Sequence, residues 1–128
     1  MESVDPCQLP KATKNAIEIA GIKNAHIRDG AAIAKLLCWL ESETAKRAVT
    51  EMEVADKLLG FRKENDGFTE PSFNTIAGSG PHGAIVHYRA TEKTNRALGS
   101  GELFLLDSGG QYPDGTTDIT RTVVIGTP

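Results

Sequence analysis

The chain reads as an α+β domain in which helices come first and antiparallel strands follow. Three observations predict this. Apolar residues recur at helical spacing through the first half, with Ile33, Leu36, Leu37 and Leu40 on one stripe that Ile22 and Ala25 extend backwards. Ten of the 13 glycines lie after residue 66, which places the tight turns in the second half. After Gly67, short apolar runs alternate with turn signals, the pattern of strands rather than helices.

Taken in order, Met1 to Pro10 is short, polar and broken by Pro6 and Pro10, so residues 1–10 are expected to form a frayed arm or linker stub. Residues 11–128 are expected to form the folded part. The helical pattern runs from Lys11 to about Glu43, and Gly21 and Gly30 predict a short first helix and a bend before a longer second one. Thr50-Glu-Met-Glu53 is a capping box that opens another helix, in which Met52, Ala55, Leu58 and Leu59 share a face. That helix should stop near Asn65-Asp66-Gly67. Strands are then expected over Ser72 to Ala77 and Ala84 to Tyr88, with a polar surface connection from Arg89 to Gly101. The helices should pack on one face of the resulting sheet.

The most informative stretch runs from Leu103 to Ile125. Leu103 to Leu106 is a buried strand that ends on Asp107, and a second strand, Ile119 to Ile125, begins just after Asp118. Between them, Pro113-Asp114-Gly115 is a turn: Pro presets φ, Asp bonds its own backbone and Gly accepts φ > 0. With a two-residue loop of Pro113 and Asp114, Asp107 faces Thr120, and Asp118 lies on the diagonal from Asp107 on the same face. A one-residue slip would separate the two carboxylates. Like charges held together on a sheet call for a proton or a metal between them, and all-oxygen donors suit one or two hard divalent cations. The alternative reading is that each Asp only caps a turn, as Asp114 does.

Other features narrow the field. Net charge is −3, with Lys and Arg scattered, which gives no electrostatic case for nucleic acid or an anionic membrane. No apolar run approaches the length of a membrane span and no leader is apparent, so a cytoplasmic location is expected. Cys7 and Cys38 lack metal spacing and read as two reduced thiols, with Cys38 packed in a helix. Gly78-Ser-Gly80 with Gly83 has no helix after it, which excludes a phosphate loop, and neither Ser79 nor Ser108 has a nucleophile-elbow context. Among the histidines, His26 reads as a packing or solvated residue and His82 as an exposed loop residue. His87 ends an apolar strand beside the carboxylate hairpin, where a polar side chain can serve a site.

Asp107-Ser-Gly-Gly-Gln-Tyr112, Asp114-Gly-Thr-Thr-Asp118-Ile-Thr-Arg-Thr122, Ser72-Phe-Asn-Thr-Ile-Ala-Gly-Ser-Gly80 and Ile85-Val-His87-Tyr88 together resemble the catalytic domain of Xaa-Pro aminopeptidases (aminopeptidase P). These are metallopeptidases of pita-bread fold, and the stretch from Lys14 to Glu41 is similar to the opening of that domain. The resemblance covers roughly Asp5 to Pro128 and implies the N-terminal half of the pita-bread fold. It implies that Asp107 binds one ion of a dinuclear centre, usually manganese, that Asp118 bridges both, and that His87 hydrogen-bonds the scissile peptide. Thr120 matches a position that supports the site from behind the ligands. The implied reaction is hydrolysis of the bond between an N-terminal residue and a following proline by a metal-activated hydroxide.

By the same resemblance, a further His and two Glu ligands belong to a second half beyond Pro128, and a preceding N-terminal domain is also missing. Thr127-Pro128 reads as a helix start with no helix after it, which suggests a truncated chain or a shortened gene product. The isolated chain is therefore expected to be inactive, to hold metal weakly and to self-associate through the face meant for the missing half. Three other readings share these residues: a catalytically dead pita-bread module that binds peptides or proteins, a prolidase-type dipeptidase, and a calcium site that only stabilises the hairpin.

Overall fold

The computed structural model describes residues 5–127. Within them the helices are α1 (Gln8–Ala12), α2 (Ala16–Thr44) and α3 (Glu51–Lys63). The strands are β1 (Glu70–Pro71), β2 (Ile76–Ser79), β3 (Leu103–Ser108), β4 (Gly110–Tyr112), β5 (Gly115–Thr116) and β6 (Ile119–Val124). A 3-10 helix, Gly80–Ala84, follows β2. The α+β class is as expected. The helix start read at Thr127-Pro128 depends on Pro128, which lies outside the described residues, as do residues 1–4 of the arm.

The helices differ from expectation in two respects. α1 straddles the end of the expected arm and buries none of its residues. α2 then runs unbroken for 29 residues, without the bend predicted at Gly21 and Gly30. It opens on a capping box, in which the Asn15 side chain accepts from the Glu18 amide at 2.9 Å and Glu18 accepts from the Asn15 amide at 2.8 Å. Gly21 does not bend the helix because its lack of a side chain is used for packing. A Cβ there would run into the Asp114 carbonyl, and one at Gly115 would lie 2.9 Å from the Ile22 Cα. The Pro113–Asp114 turn thus rests on the helix backbone, and Arg28 pairs with Asp114 across the contact.

α3 is capped by Thr50, whose side chain accepts from the Glu53 amide, and the chain leaves the helix through Gly67 at φ +78°. Its buried stripe is Glu51, Val54, Leu58 and Arg62, not the expected face of Met52, Ala55, Leu58 and Leu59. Apolar counting missed the stripe because its two ends are charged.

Strands β3–β4 and β5–β6 form one long hairpin with a single register. Tyr112 pairs with Gly115 around a two-residue loop, and Asp107 pairs with Thr120, as predicted. The hairpin takes part in two three-stranded antiparallel sheets, ordered β1-β4-β5 and β2-β3-β6. In β2 the ladder runs Ile76↔Asp107 to Ser79↔Phe104, so the strand starts four residues later than the sequence suggested. On one face of the second sheet, Ala77, Phe104 and Leu106 pack against Ile33, Leu36 and Leu58 of the helices. Full burial of side chains such as Phe104 and Leu106 is worth about 1.5–3 kcal/mol each.

A second, polar junction joins the helices to the hairpin. Asp29 of α2 and Arg62 of α3 are both buried and pair in a fork, Nε to Oδ1 at 2.7 Å and Nη2 to Oδ2 at 2.9 Å. Tyr112 donates to Asp29 Oδ1 at 3.0 Å and Thr117 to Oδ2 at 2.7 Å, while Arg62 also reaches Ser108 Oγ at 3.1 Å. Burial by itself raises the Asp29 carboxyl. Hydrogen bonds from Arg62, Thr117 and Tyr112 and the Arg62 charge outweigh it and hold the group below the usual carboxylate range.

Two outcomes follow for stability. Gly21→Val should destabilise by about 1–3 kcal/mol because the turn must lift off the helix. Gly30→Ala, where a Cβ meets nothing within 4 Å, should be neutral or stabilising by up to about 1 kcal/mol; urea unfolding of the two variants checks the contrast. The depressed Asp29 carboxyl contributes stability that is present above its unfolded pKa of about 3.9 and is lost as pH falls through its lower folded value. Asp29→Asn should remove that part of the acid limb and cost about 3–5 kcal/mol at neutral pH, since Arg62 stays buried without its counter-charge. An acid-unfolding profile for Asp29→Asn with the wild-type slope would show that another group governs the limb.

Candidate metal centre

Asp107 and Asp118 are set by the hairpin register. Asp118 precedes by two positions the Thr120 that faces Asp107. Burial alternates through this stretch, with Ser108 and Thr117 enclosed and Asp118 exposed, so both carboxylates lie on the sheet face away from the helices. Thr120 Oγ1 donates to Asp107 Oδ1 at 3.0 Å, which restrains that carboxylate and leaves its other oxygen without a hydrogen-bond partner among the described residues.

The hairpin between the two carboxylates is clamped from the loop before β2. Ser72 donates its amide to the Gly109 carbonyl at 3.1 Å and its hydroxyl to the Thr117 carbonyl at 3.0 Å. Gly109 falls opposite Asp118 in the register, and a Cβ there would collide with both the Thr117 carbonyl and the Ser72 hydroxyl. The glycine is required by this close approach.

His87 does not stand on a strand. The expected strand from Ala84 to Tyr88 is instead the end of the 3-10 helix and a turn, closed by the Tyr88 amide donating to the Ile85 carbonyl at 3.1 Å. Gly80, at φ +54°, followed by Pro81 starts this departure from extended chain, and Ile85 and Val86 are left 52% and 83% exposed. His87 itself is exposed and is the one non-glycine residue among those described with positive φ, at 55°. The 3-10 helix folds back over β2 and β3, with Gly83 against Gly78 and Leu105, so the His87 turn is carried on the side of the sheet that bears Asp107. No hydrogen bond links His87 to either Asp among the described residues.

A hub absent from the sequence reading holds this turn. Glu51, fully buried, accepts from the Ser79 amide at 2.8 Å, from His82 Nδ1 at 2.8 Å and from the Tyr88 hydroxyl at 2.9 Å. The His82 and Tyr88 rings stack with centroids 4.4 Å apart. Burial, together with the Glu51 carboxylate it bonds, raises the Tyr88 hydroxyl pKa. His82 is therefore a structural partner and not the exposed loop residue expected. Its signal in the sequence was a charged residue, Glu51, on the apolar stripe of α3. His26 donates Nδ1 to the Ile22 carbonyl at 2.9 Å, a packing role as expected. Cys7 and Cys38 are free thiols, and Cys38 is exposed on α2 rather than packed.

The two carboxylates and Thr120 form an all-oxygen donor set, which suits a hard divalent cation in kind. It falls short in number: no group of three or more His, Cys, Asp or Glu able to hold a metal occurs among the described residues. Among the described residues the donor set is two carboxylates and a hydroxyl. No helix among the described residues is long and apolar enough to cross a membrane.

Helices backing an antiparallel sheet, with paired acidic residues on its open face, define one half of a pita-bread domain. The crystal structure of X-prolyl aminopeptidase from Caenorhabditis elegans, described as a cytosolic enzyme with a di-nuclear active site, matches 98% of this chain with a TM-score of 0.91 at 45% identity. The model of metallopeptidase family M24 matches residues 20–128, and the chain belongs to that family. Aminopeptidase P2 of Arabidopsis thaliana is 52% identical over 96% of the chain, and Xaa-Pro aminopeptidase ApepP of Drosophila melanogaster is 48% identical over all of it. The chain spans about a fifth of the length of these relatives, 18% and 21% respectively.

The left-handed His87 gives a direct test of the turn. His87→Gly should stabilise the chain by about 1 kcal/mol by relieving that backbone cost, and His87→Ala should not. Equal urea midpoints for the two variants would argue against a strained conformation at this residue.

Proposed function

We propose that this chain supplies the first half of the catalytic centre of an Xaa-Pro aminopeptidase, which hydrolyses the bond between an N-terminal residue and a following proline. The observation that carries this reading is the placement of Asp107 and Asp118 together on the open sheet face. The likeness to X-prolyl aminopeptidases along nearly the whole chain supports the substrate class. In this reading residues 11–128 are the first half of the pseudo-twofold catalytic domain.

Asp107 and Asp118 would both hold a pair of divalent ions, manganese in this proposal. Thr120 would fix the Asp107 oxygen that is not used for metal. When bound, the ions supply an acidified water able to hydrolyse a peptide bond near neutral pH. His87, projecting from its braced turn, would hydrogen-bond the carbonyl side of the scissile peptide and orient it. A like-charge pair on an exposed face has no evident use in a pure binding module, which favours the peptidase reading over that alternative.

Two carboxylates leave a divalent ion mostly hydrated, so the chain alone should bind manganese weakly and should not turn over an Xaa-Pro peptide at an enzyme's usual rate. Manganese titration followed by thermal melting should give a rise in melting temperature that Asp118→Asn abolishes. Rapid turnover by the isolated chain would refute the half-centre assignment, and an unchanged melting temperature in wild type would refute the metal ligands.

A further inference from the structure

The buried junction of Asp29 and Arg62 touches the hairpin at two residues besides Tyr112: Ser108 and Thr117. Each is the chain neighbour of a carboxylate in the candidate centre, since Ser108 follows Asp107 and Thr117 precedes Asp118. In an extended chain, adjacent side chains point to opposite faces. The residues that anchor the inner face are therefore one Cα away from the residues presented on the outer face. Thr117 is bound twice: its hydroxyl donates to Asp29 Oδ2 at 2.7 Å and accepts from the Gly110 amide at 2.8 Å. The second bond crosses the hairpin beside the backbone bond from the Thr117 amide to the Gly110 carbonyl at 2.9 Å, one position before the unpaired Gly109 and Asp118.

We infer that Thr117, Ser108 and the Asp29–Arg62 pair are positioning residues that set the separation of Asp107 and Asp118 from behind the sheet. This rests on the reading of those carboxylates as metal ligands. Strand pairing fixes the backbone on either side of Asp118, through the Thr117 amide bond to the Gly110 carbonyl and the Ser108–Ile119 pair, and leaves the direction of the Asp118 side chain to what anchors Thr117. Arg62 and Asp29 add a constraint from two different helices, and both are fully enclosed, at 1% and 0% exposure. A carboxylate pair with a fixed separation can share ions without reorganising, whereas a loose pair repels and spreads.

Thr117→Val keeps the shape of the side chain and removes both hydroxyl bonds, and Thr117→Ser keeps both. The test compares these with Asp118→Asn and wild type in the full chain, with two measurements. Manganese binding is read from the loss of the free-ion electron paramagnetic resonance signal, and amide hydrogen exchange is followed in the metal-free chain. Thr117→Val should weaken manganese binding by about 10-fold and speed exchange at Gly110 and at residue 117 while leaving Leu105 and Leu106 protected, and Thr117→Ser should restore both. Wild-type manganese binding in a folded Thr117→Val variant overturns the inference, provided Asp118→Asn has lost it. Equal binding by wild type and Asp118→Asn overturns the ligand reading and the inference with it. Should Thr117→Val fail to fold, Ser108→Ala, which removes only the contact from Arg62, takes its place, and manganese binding unchanged from wild type then refutes the positioning role.

Discussion

The buried ion pair between Asp29 and Arg62 is the contact on which the rest of this structure depends. Two helices adjacent in sequence could pack in several rotations about their axes using only Leu, Ile and Ala. A forked carboxylate–guanidinium pair accepts one, because both charges leave water and tolerate no other geometry. The pair then uses its remaining hydrogen-bonding capacity on Tyr112, Thr117 and Ser108, so the hairpin is placed relative to the helices by the same contact. With both Asp29 oxygens and the Arg62 Nε and Nη2 groups bonded, the cost of burying charge is offset and a unique arrangement results.

Close approach completes what the ion pair begins. Gly21 and Gly115 bring the tip of the hairpin onto the backbone of α2, and Gly109 lets Ser72 bond two carbonyls across the hairpin. The other end of the sheet has its own buried carboxylate, Glu51, which gathers the chain from Ser79 to Tyr88 into a braced turn. Two acidic hubs on the helix side thus hold the elements that carry polar residues on the opposite side: one behind Asp107 and Asp118, one behind His87. The open face is braced from the buried one.

Much of this was legible in the residues. Pro113-Asp114-Gly115 specified the hairpin loop, and the loop length specified that Asp107 faces Thr120. Thr50 marked the start of α3 and Gly67 the exit from it. The errors share a cause. Gly21 looked like a weak point in a helix because propensity is a local quantity, yet its role is to admit a turn 93 positions later in the chain. Ala84 to Tyr88 looked like a strand because Ile and Val favour one, but it pairs with no strand among the described residues and Tyr88 is drawn inward to Glu51. Glu51 and Arg62 were passed over on an apolar stripe since charge ordinarily marks the solvent side of a helix.

By itself, the sequence determined the α+β class, the hairpin with its register and the identity of the two outward carboxylates, which follow from short-range pattern and turn chemistry, while the family was legible through the resemblance of its motifs. The tertiary structure alone decided that α2 is one unbroken helix, that His87 sits on a left-handed turn and that Asp29, Glu51 and Arg62 are interior. Those outcomes depend on partners distant in the chain, and a buried charge is tolerated only where folding brings its counter-charge and hydrogen-bond donors to it.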